Sequence, residues 1–444
     1  MGVFLKLIGL ALSGALAAVA GPNDTLPAAT KAVPADDWSV LFARKSGWTG
    51  ADGIFSIPLS GYEGPDHAEG QKTLFVFSDT FIGSVDATGA RKGALMVNNS
   101  LAILDGAVPD SSKIRFLWGR NDKGVAASAF IPNTPSTAGK TDTWYWLQDG
   151  FCRKGYVYDL PLIVQRNDAD IEGFKFKEIG IGLLKIPLDS KGEPDLAHAE
   201  QKDTPLFHTG TKSFYFGCGI LVNTKEAGAP DPDDSIYLYG RNGLYVARVL
   251  ADEFEDFSKW RYWDGKGWNP DIAQSVSLGL GGPEMSVMPI LTGALNGKYV
   301  MISMGIGKDL YMRIGDGPAG PFGAKLNFAK ALESDSAKKI YTYNAKAHPS
   351  LSGNGDWLVS YNVNSPDWDV NLANADIYHP RFLRLRFDPA TALAPFTKSP
   401  GRYPQGAMWN GSEAVITGTK SWRRLDGRKI RAQRLLHLPE AIPK

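Results

Sequence analysis

The chain has 444 residues, enough for two or three average domains or for one large all-β domain. Its 48 Lys and Arg are balanced by 47 Asp and Glu, and a net charge of +1 excludes the electrostatic footprint of a nucleic-acid or anionic-membrane binder. The 49 Gly, 28 Pro, 12 Trp, 16 Tyr and 21 Phe are the composition of many short strands joined by tight turns.

The chain opens with "MGVFLKLIGLALSGALAAVAGP", where one Lys precedes an apolar run that ends in small residues. That is the pattern of a secretory signal cleaved after Ala20, too short for a membrane span. The expectation is a secreted, soluble protein with a leader over 21–35 and one domain over 36–444. Cys152 and Cys218 are the two cysteines. An oxidising compartment would let them pair, and two buried free thiols are the other reading.

From about residue 50 onward a three-strand pattern recurs. Apolar strands occur at "TLFVFSDT" (73–80), "TWYWLQDG" (143–150), "SIYLYGRN" (235–242), "KYVMISMG" (298–305) and "DWLVSYNVN" (356–364). Each follows another strand-like run ("GIFSIPL", "ASAFIPN", "CGILVN", "MSVMPIL", "AKAHPSL") and precedes a third ("NSLAILDG", "LPLIVQRN", "GLYVARVL", "DLYMRIG", "RFLRLRF"). Five such units predict an all-β fold, a five-bladed β-propeller, because radial repetition buries sheet faces and leaves short edges. A stacked β-sandwich pair is the alternative architecture. Helix signal is weak, with "EAVITG" and "LADEFEDFSKW" offering a turn or two.

In a propeller the first strand of each unit lines the axis. That would gather Asp52, Glu284 and His348 at one mouth, with Asp79, Asp149 and Arg241 one layer further out. Two carboxylates on a small cavity are the equipment of glycoside hydrolysis, one protonated to serve the leaving oxygen and one ionised. Glu284, after the glycine-rich "SLGLGGP", is the expected general acid, and Asp52, between Gly50 and Gly53, the expected nucleophile or base. Asp79 is a second candidate acid or a sugar-orienting group. Asn98, Asn99, Asp149, Arg241, His348, Tyr361, Asn362 and His379 are expected to meet sugar hydroxyls.

Each of these residues also has a plain reading. "GADG" and "LQDG" are good turns, an Asp in "SDT" can cap its own backbone, and an exposed Glu is ordinary. A lone His in a strand is commonly a satisfied structural group, and Arg241 can form a protein ion pair. No nucleotide motif and no G-x-S-x-G elbow occurs. No cofactor or catalytic metal is expected; "DPDDS" (231–235) invites a structural calcium, but its spacing is not that of an EF-hand.

Two stretches carry a family resemblance. Asp52-Gly53-Ile54-Phe55-Ser56 and Phe77-Ser78-Asp79-Thr80-Phe81 resemble the opening strands of a secreted microbial family of formerly unknown function, predicted as five-bladed β-propellers. The stretches "NNSLAIL" and "AHPSLS…LVSYNVN" are similar too, so the likeness spans most of the mature chain. The related propellers include endo-D-arabinanases and, more distantly, xylosidases and fructan hydrolases. The resemblance implies a glycoside hydrolase acting on a plant or microbial polysaccharide, with an arabinan-like, furanoside-rich glycan as one expected substrate and Asp52 and Asp79 as the catalytic carboxylates. The loops at 120–155 and 205–235 depart from it.

Two rival functions come from other classes. A polysaccharide lyase would use His348 or His379 with a Tyr, and Arg241 against a uronate. A non-catalytic propeller would bind glycan and turn nothing over.

Overall fold

Apolar runs such as Tyr299–Ser303 and Phe55–Pro58 are buried at every position, so both faces of these strands are covered. Later strands of the same sheets, such as Ile114–Leu117 and Leu326–Lys330, mix buried and exposed residues. The computed structural model describes residues 22–386 apart from 28–29, 66–69, 169–174 and 211–212, together with the strands Ala407–Asn410 and Glu413–Ile416. The expected signal segment, 1–20, lies outside the described residues.

The protein is all-β, with two short α-helices, Asp36–Leu41 and Trp368–Ala373, among the described residues. Five antiparallel sheets of four or more strands follow one another along the chain. The first runs Phe55–Pro58, Lys72–Phe77, Ser100–Asp105, Ile114–Leu117. The second begins Gly150–Arg153, Tyr156–Asp159, Phe176–Pro187, and the third begins Phe207–His208, Phe214–Asn223, Ser235–Arg241. The fourth runs Met285–Pro289, Tyr299–Ser303, Asp309–Gly315, Leu326–Lys330. The fifth runs Tyr341–Ala347, Asp356–Asn364, Arg381–Arg386 and ends on Lys31–Pro34, from the stretch expected as leader.

Neighbouring sheets are held by apolar layers. One cluster joins the first and second sheets (Ile57, Leu74, Tyr145, Ile186), and another the second and third (Phe151, Leu183, Phe216, Leu238). A third joins the third and fourth (Tyr239, Val246, Met285, Met301), and a fourth the fourth and fifth (Ile302, Met312, Val359, Leu385). The last joins the fifth back to the first, with Phe382 and Leu358 against Trp48, Phe75 and Phe42. Hydrogen bonds cross the seams: Ala347 N donates to Ser286 Oγ at 2.8 Å, and His348 Nδ1 meets Ser56 Oγ at 2.9 Å.

The second unit differs from the expected strand pattern. "ASAFIPN" is mostly non-strand, and the edge strand that abuts the first sheet is Gly150–Arg153. Thr143–Trp146, expected as the middle strand, pairs with Leu162–Arg166 from the expected third strand but lies at the edge of its sheet. The apolar pattern of "TWYWLQDG" reads through a bend at 147–149 that periodicity alone does not reveal. "EAVI" forms a strand paired with Ala407–Asn410. Contact density divides the chain into units 1–392 and 393–444.

Cys152 and Cys218 are buried free thiols. Cys152 Sγ donates to Leu59 O at 3.2 Å, and Cys218 Sγ to Tyr239 O at 3.3 Å.

Candidate functional site

Asp52 and Asp79 sit where strands end and the chain bends from one sheet into the next. Ser46–Ala51, Thr80–Val85 and Arg91–Val97 form a separate three-stranded sheet. Each is continued along the chain by a strand of the first sheet: 46–51 leads into 55–58, 72–77 into 80–85, and 91–97 into 100–105. The three crossings hold Asp52, Asp79 and Asn98-Asn99. Backbone bonds pin the first two together, Asp52 N to Asp79 O at 3.2 Å and Ser78 N to Asp52 O at 3.0 Å. Gly53 turns the chain at φ +74°, and a Cβ there would lie 2.7 Å from Ser78 Oγ, so the crossing requires glycine.

Asp52 Oδ2 accepts from Tyr343 OH at 2.5 Å and, more loosely, from Tyr378 OH at 3.4 Å. Its Oδ1 is buried and has no partner among the described residues. Asp79 Oδ1 accepts twice, from Trp146 Nε1 at 2.8 Å and Asn98 Nδ2 at 3.0 Å. Burial first, and then the charge of Asp79, push Asp52 up to about 8. Burial also raises Asp79, to about 6, while the bonds from Asn98 and Trp146 pull it back. The two are electrostatically coupled, and Asp52 is the one that holds a proton more tightly.

Tyr343→Phe removes a donor that favours the ionised form of Asp52. Its titration should therefore move to higher pH in carboxyl carbon-13 NMR; a move to lower pH would contradict the bonding described.

Glu284 precedes Met285–Pro289 and meets residues of the fifth sheet. Its Oε1 accepts from Asn344 Nδ2 at 2.7 Å, and its Oε2 is ion-paired with Lys346 Nζ. Burial raises Glu284, and the charge and hydrogen bond of Lys346 oppose that rise. Asn344 is at φ +62° in a bulge of strand Tyr341–Ala347, which turns its amide toward Glu284. Asp149, in the bend before Gly150–Arg153, accepts from Ile220 N at 2.6 Å and Gly150 N at 2.9 Å. Burial raises it to about 7. A cavity next to these groups draws Phe55, Asp149, Ile220, Ser286 and His348 from the five sheets in turn.

Other expected ligands are engaged with the protein itself. Asn98 reaches the site only through Asp79. Asn99 is fully buried and clamps Phe130 and Tyr145 through backbone bonds. His348 is buried with its ring nitrogens 2.9 and 2.8 Å from Ser56 Oγ and Ser360 Oγ, and burial and Lys346 depress it to about 3. His379 is buried under the Arg381 guanidinium, and Tyr361 OH donates to Glu333 at 2.7 Å. Asn362 is buried beside Tyr343 in the strand register, with no partner for its amide among the described residues. Arg241 pairs with Glu178 at 3.1 Å and lies over the Tyr215 ring. Asp233, in "DPDDS", accepts from Asn223, Ser235 and Tyr237.

Sequence reasoning missed Lys346, Trp146 and Tyr378. Lys346 carried a signal, since a lysine inside the otherwise apolar strand "AKAHPSL" needs a buried anion. Trp146 and Tyr378 read as ordinary strand and loop aromatics.

Residues 36–396 match a family described as a domain of unknown function, DUF5005. No curated protein matches the chain. Among solved structures, a Bacteroides ovatus protein provisionally described as a hydrolase aligns at TM-score 0.60 and 20% identity, over 80% of this chain and 90% of that one. That likeness shows a shared fold. CoXyl43, a β-xylosidase/α-arabinofuranosidase from a compost microbial metagenome, aligns at TM-score 0.37 and 14% identity, over 77% and 94%. An exo-β-1,3-galactanase from Phanerochaete chrysosporium aligns at TM-score 0.35 and 11% identity, over 82% and 66%. Neither of the last two is similar enough to carry an argument.

Proposed function

The chain belongs to the DUF5005 family, and we propose that it is an exported glycoside hydrolase, a five-bladed propeller that cleaves a neutral plant or microbial polysaccharide, furanoside-rich as its opening strands imply. The observation that carries this reading is the Asp52–Asp79 pair: two coupled carboxylates, one with a bare oxygen and one held by two donors. The propeller reading is supported by the apolar layer that returns from the fifth sheet to the first. In this reading Asp52 donates the proton to the leaving oxygen. Asp79 acts as the carboxylate that attacks the anomeric carbon or activates water.

This moves the acid role expected from sequence for Glu284 to Asp52, and the base or nucleophile role expected for Asp52 to Asp79. Both oxygens of Glu284 face donors, so the ionised form fits its surroundings. The neutral-glycan reading rests on the cations: Lys346 is paired with Glu284 and Arg241 with Glu178. A lyase would need one of them for a uronate, and a free imidazole as base, whereas His348 and His379 are both buried and engaged.

The test is hydrolysis of a neutral polysaccharide panel, followed by the pH dependence of kcat/KM on the best substrate. The pair should give a bell, with activity lost as pH falls through about 6, where Asp79 protonates, and as it rises through about 8, where Asp52 ionises. A single-limbed profile would contradict these roles.

A further inference from the structure

One cation is buried among the site's carboxylates, and its position bears on where the catalytic proton resides. Lys346 has a side chain 1% exposed. Its Nζ lies 4.2 Å from the centre of the Phe55 ring and is ion-paired with Glu284 Oε2. The groups facing this centre come from every sheet. They are Asp52 at the crossing into the first, Asp149 just before the second, Arg241 from the third, Glu284 just before the fourth, and His348 just after Lys346's own strand. Glu63, in the loop after Phe55–Pro58, faces Asp149.

An unpaired carboxylate in such surroundings takes up a proton rather than remain charged. At Glu284 burial favours that uptake, and Lys346 and Asn344, which occupy its two oxygens, oppose it. Its retained negative charge acts in turn on Asp52, making that group harder to ionise. Resting on the hydrolase reading above, we propose that Lys346 is a positioning residue: by holding Glu284 as a carboxylate, it makes the Asp52–Asp79 pair the place where the site's proton resides. Lys346 touches no reacting atom in this scheme and acts through Glu284.

Lys346→Met removes the charge and keeps most of the side-chain volume. In carboxyl carbon-13 titrations, the glutamate resonance that disappears in Glu284→Gln should be ionised at pH 7 in the wild type and protonated in Lys346→Met. On a hydrolysed glycan, kcat should fall by about tenfold or more with KM within about threefold, since binding contacts are untouched. The double variant Lys346→Met/Glu284→Gln should match Lys346→Met in kcat within about threefold, since a glutamine is as neutral as the protonated Glu284. A role confined to packing would lower Tm, leave the Glu284 resonance ionised and make the double variant worse than Lys346→Met, and that result would overturn the proposal.

Should Lys346→Met not fold, Glu284→Gln alone decides. It leaves the Lys346 charge unopposed, and the Asp52 titration should fall by about one unit; an unmoved Asp52 overturns the proposal. These titrations need no substrate. A wild-type protein that cleaves no glycan would therefore count against the hydrolase reading, while the state of Glu284 in Lys346→Met judges the role of Lys346 by itself.

Discussion

Asp79→Asn is expected to lower kcat by roughly a thousandfold or more while leaving glycan binding within about threefold, the scale on which removal of an acid–base or nucleophilic group acts. The amide keeps the fold, because its oxygen can still accept from Trp146 Nε1 and Asn98 Nδ2, both of which donate to Oδ1. What it lacks is the charge that meets the anomeric carbon or takes a proton from water. Asp52→Asn should be similarly damaging on a polysaccharide, whose sugar leaving group must be protonated. It should be far milder on an aryl glycoside such as a nitrophenyl furanoside, whose leaving group departs without help. If both variants lost the same factor on both substrates, the division of roles would be wrong. Calorimetric titration with an oligosaccharide measures binding apart from rate.

The second large effect is on stability. Phe42→Ala should destabilise the protein by about 3–5 kcal/mol in denaturant unfolding, the range for removing a buried aromatic ring. Phe42 is fully buried where the fifth sheet meets the first. Its ring packs against Trp48, Phe75, Phe77 and Phe116 on one side of the seam and stacks on Phe382 at 5.5 Å on the other. No neighbour can fill that volume without leaving its own partners, so a cavity remains. An exposed control, Val40→Ala in the helix just before Phe42, should change stability by less than about 0.5 kcal/mol. A loss at Phe42 as small as at Val40 would mean that the seam is not a cooperative part of the fold.

Much of the architecture could be read in the sequence because sheets buried on both faces show as continuous apolar runs. "KYVMISMG" and "DWLVSYNVN" became the middle strands Tyr299–Ser303 and Asp356–Asn364 with little change. The second unit was harder. Trp144 and Trp146 have the same apolar signature whether the strand pairs inward or toward Leu162–Arg166, and only the bend at 147–149 decides. The closing strand Lys31–Pro34 was hidden because its partner lies some 350 positions away in sequence and its own pattern is short and polar-edged.

The site was legible by residue type more than by role. Asp52, Asp79, Asp149 and Glu284 were all picked out as acids at strand ends, and the structure brings them near one centre. Their roles depend on which oxygen faces which donor. That is set by Tyr343 and Lys346 from the last sheet, contacts that no local pattern announces. His348 shows the reverse case, a histidine at the right depth whose two ring nitrogens both meet serine hydroxyls.

The most direct measurement is mass spectrometry of oligosaccharides released from the best polysaccharide in water enriched with oxygen-18. Hydrolysis through Asp52 and Asp79 predicts one heavy oxygen at each new reducing end, with release abolished in Asp52→Asn and Asp79→Asn. Products carrying an unsaturated terminal sugar and no heavy oxygen, or undiminished release by both variants, would contradict the account.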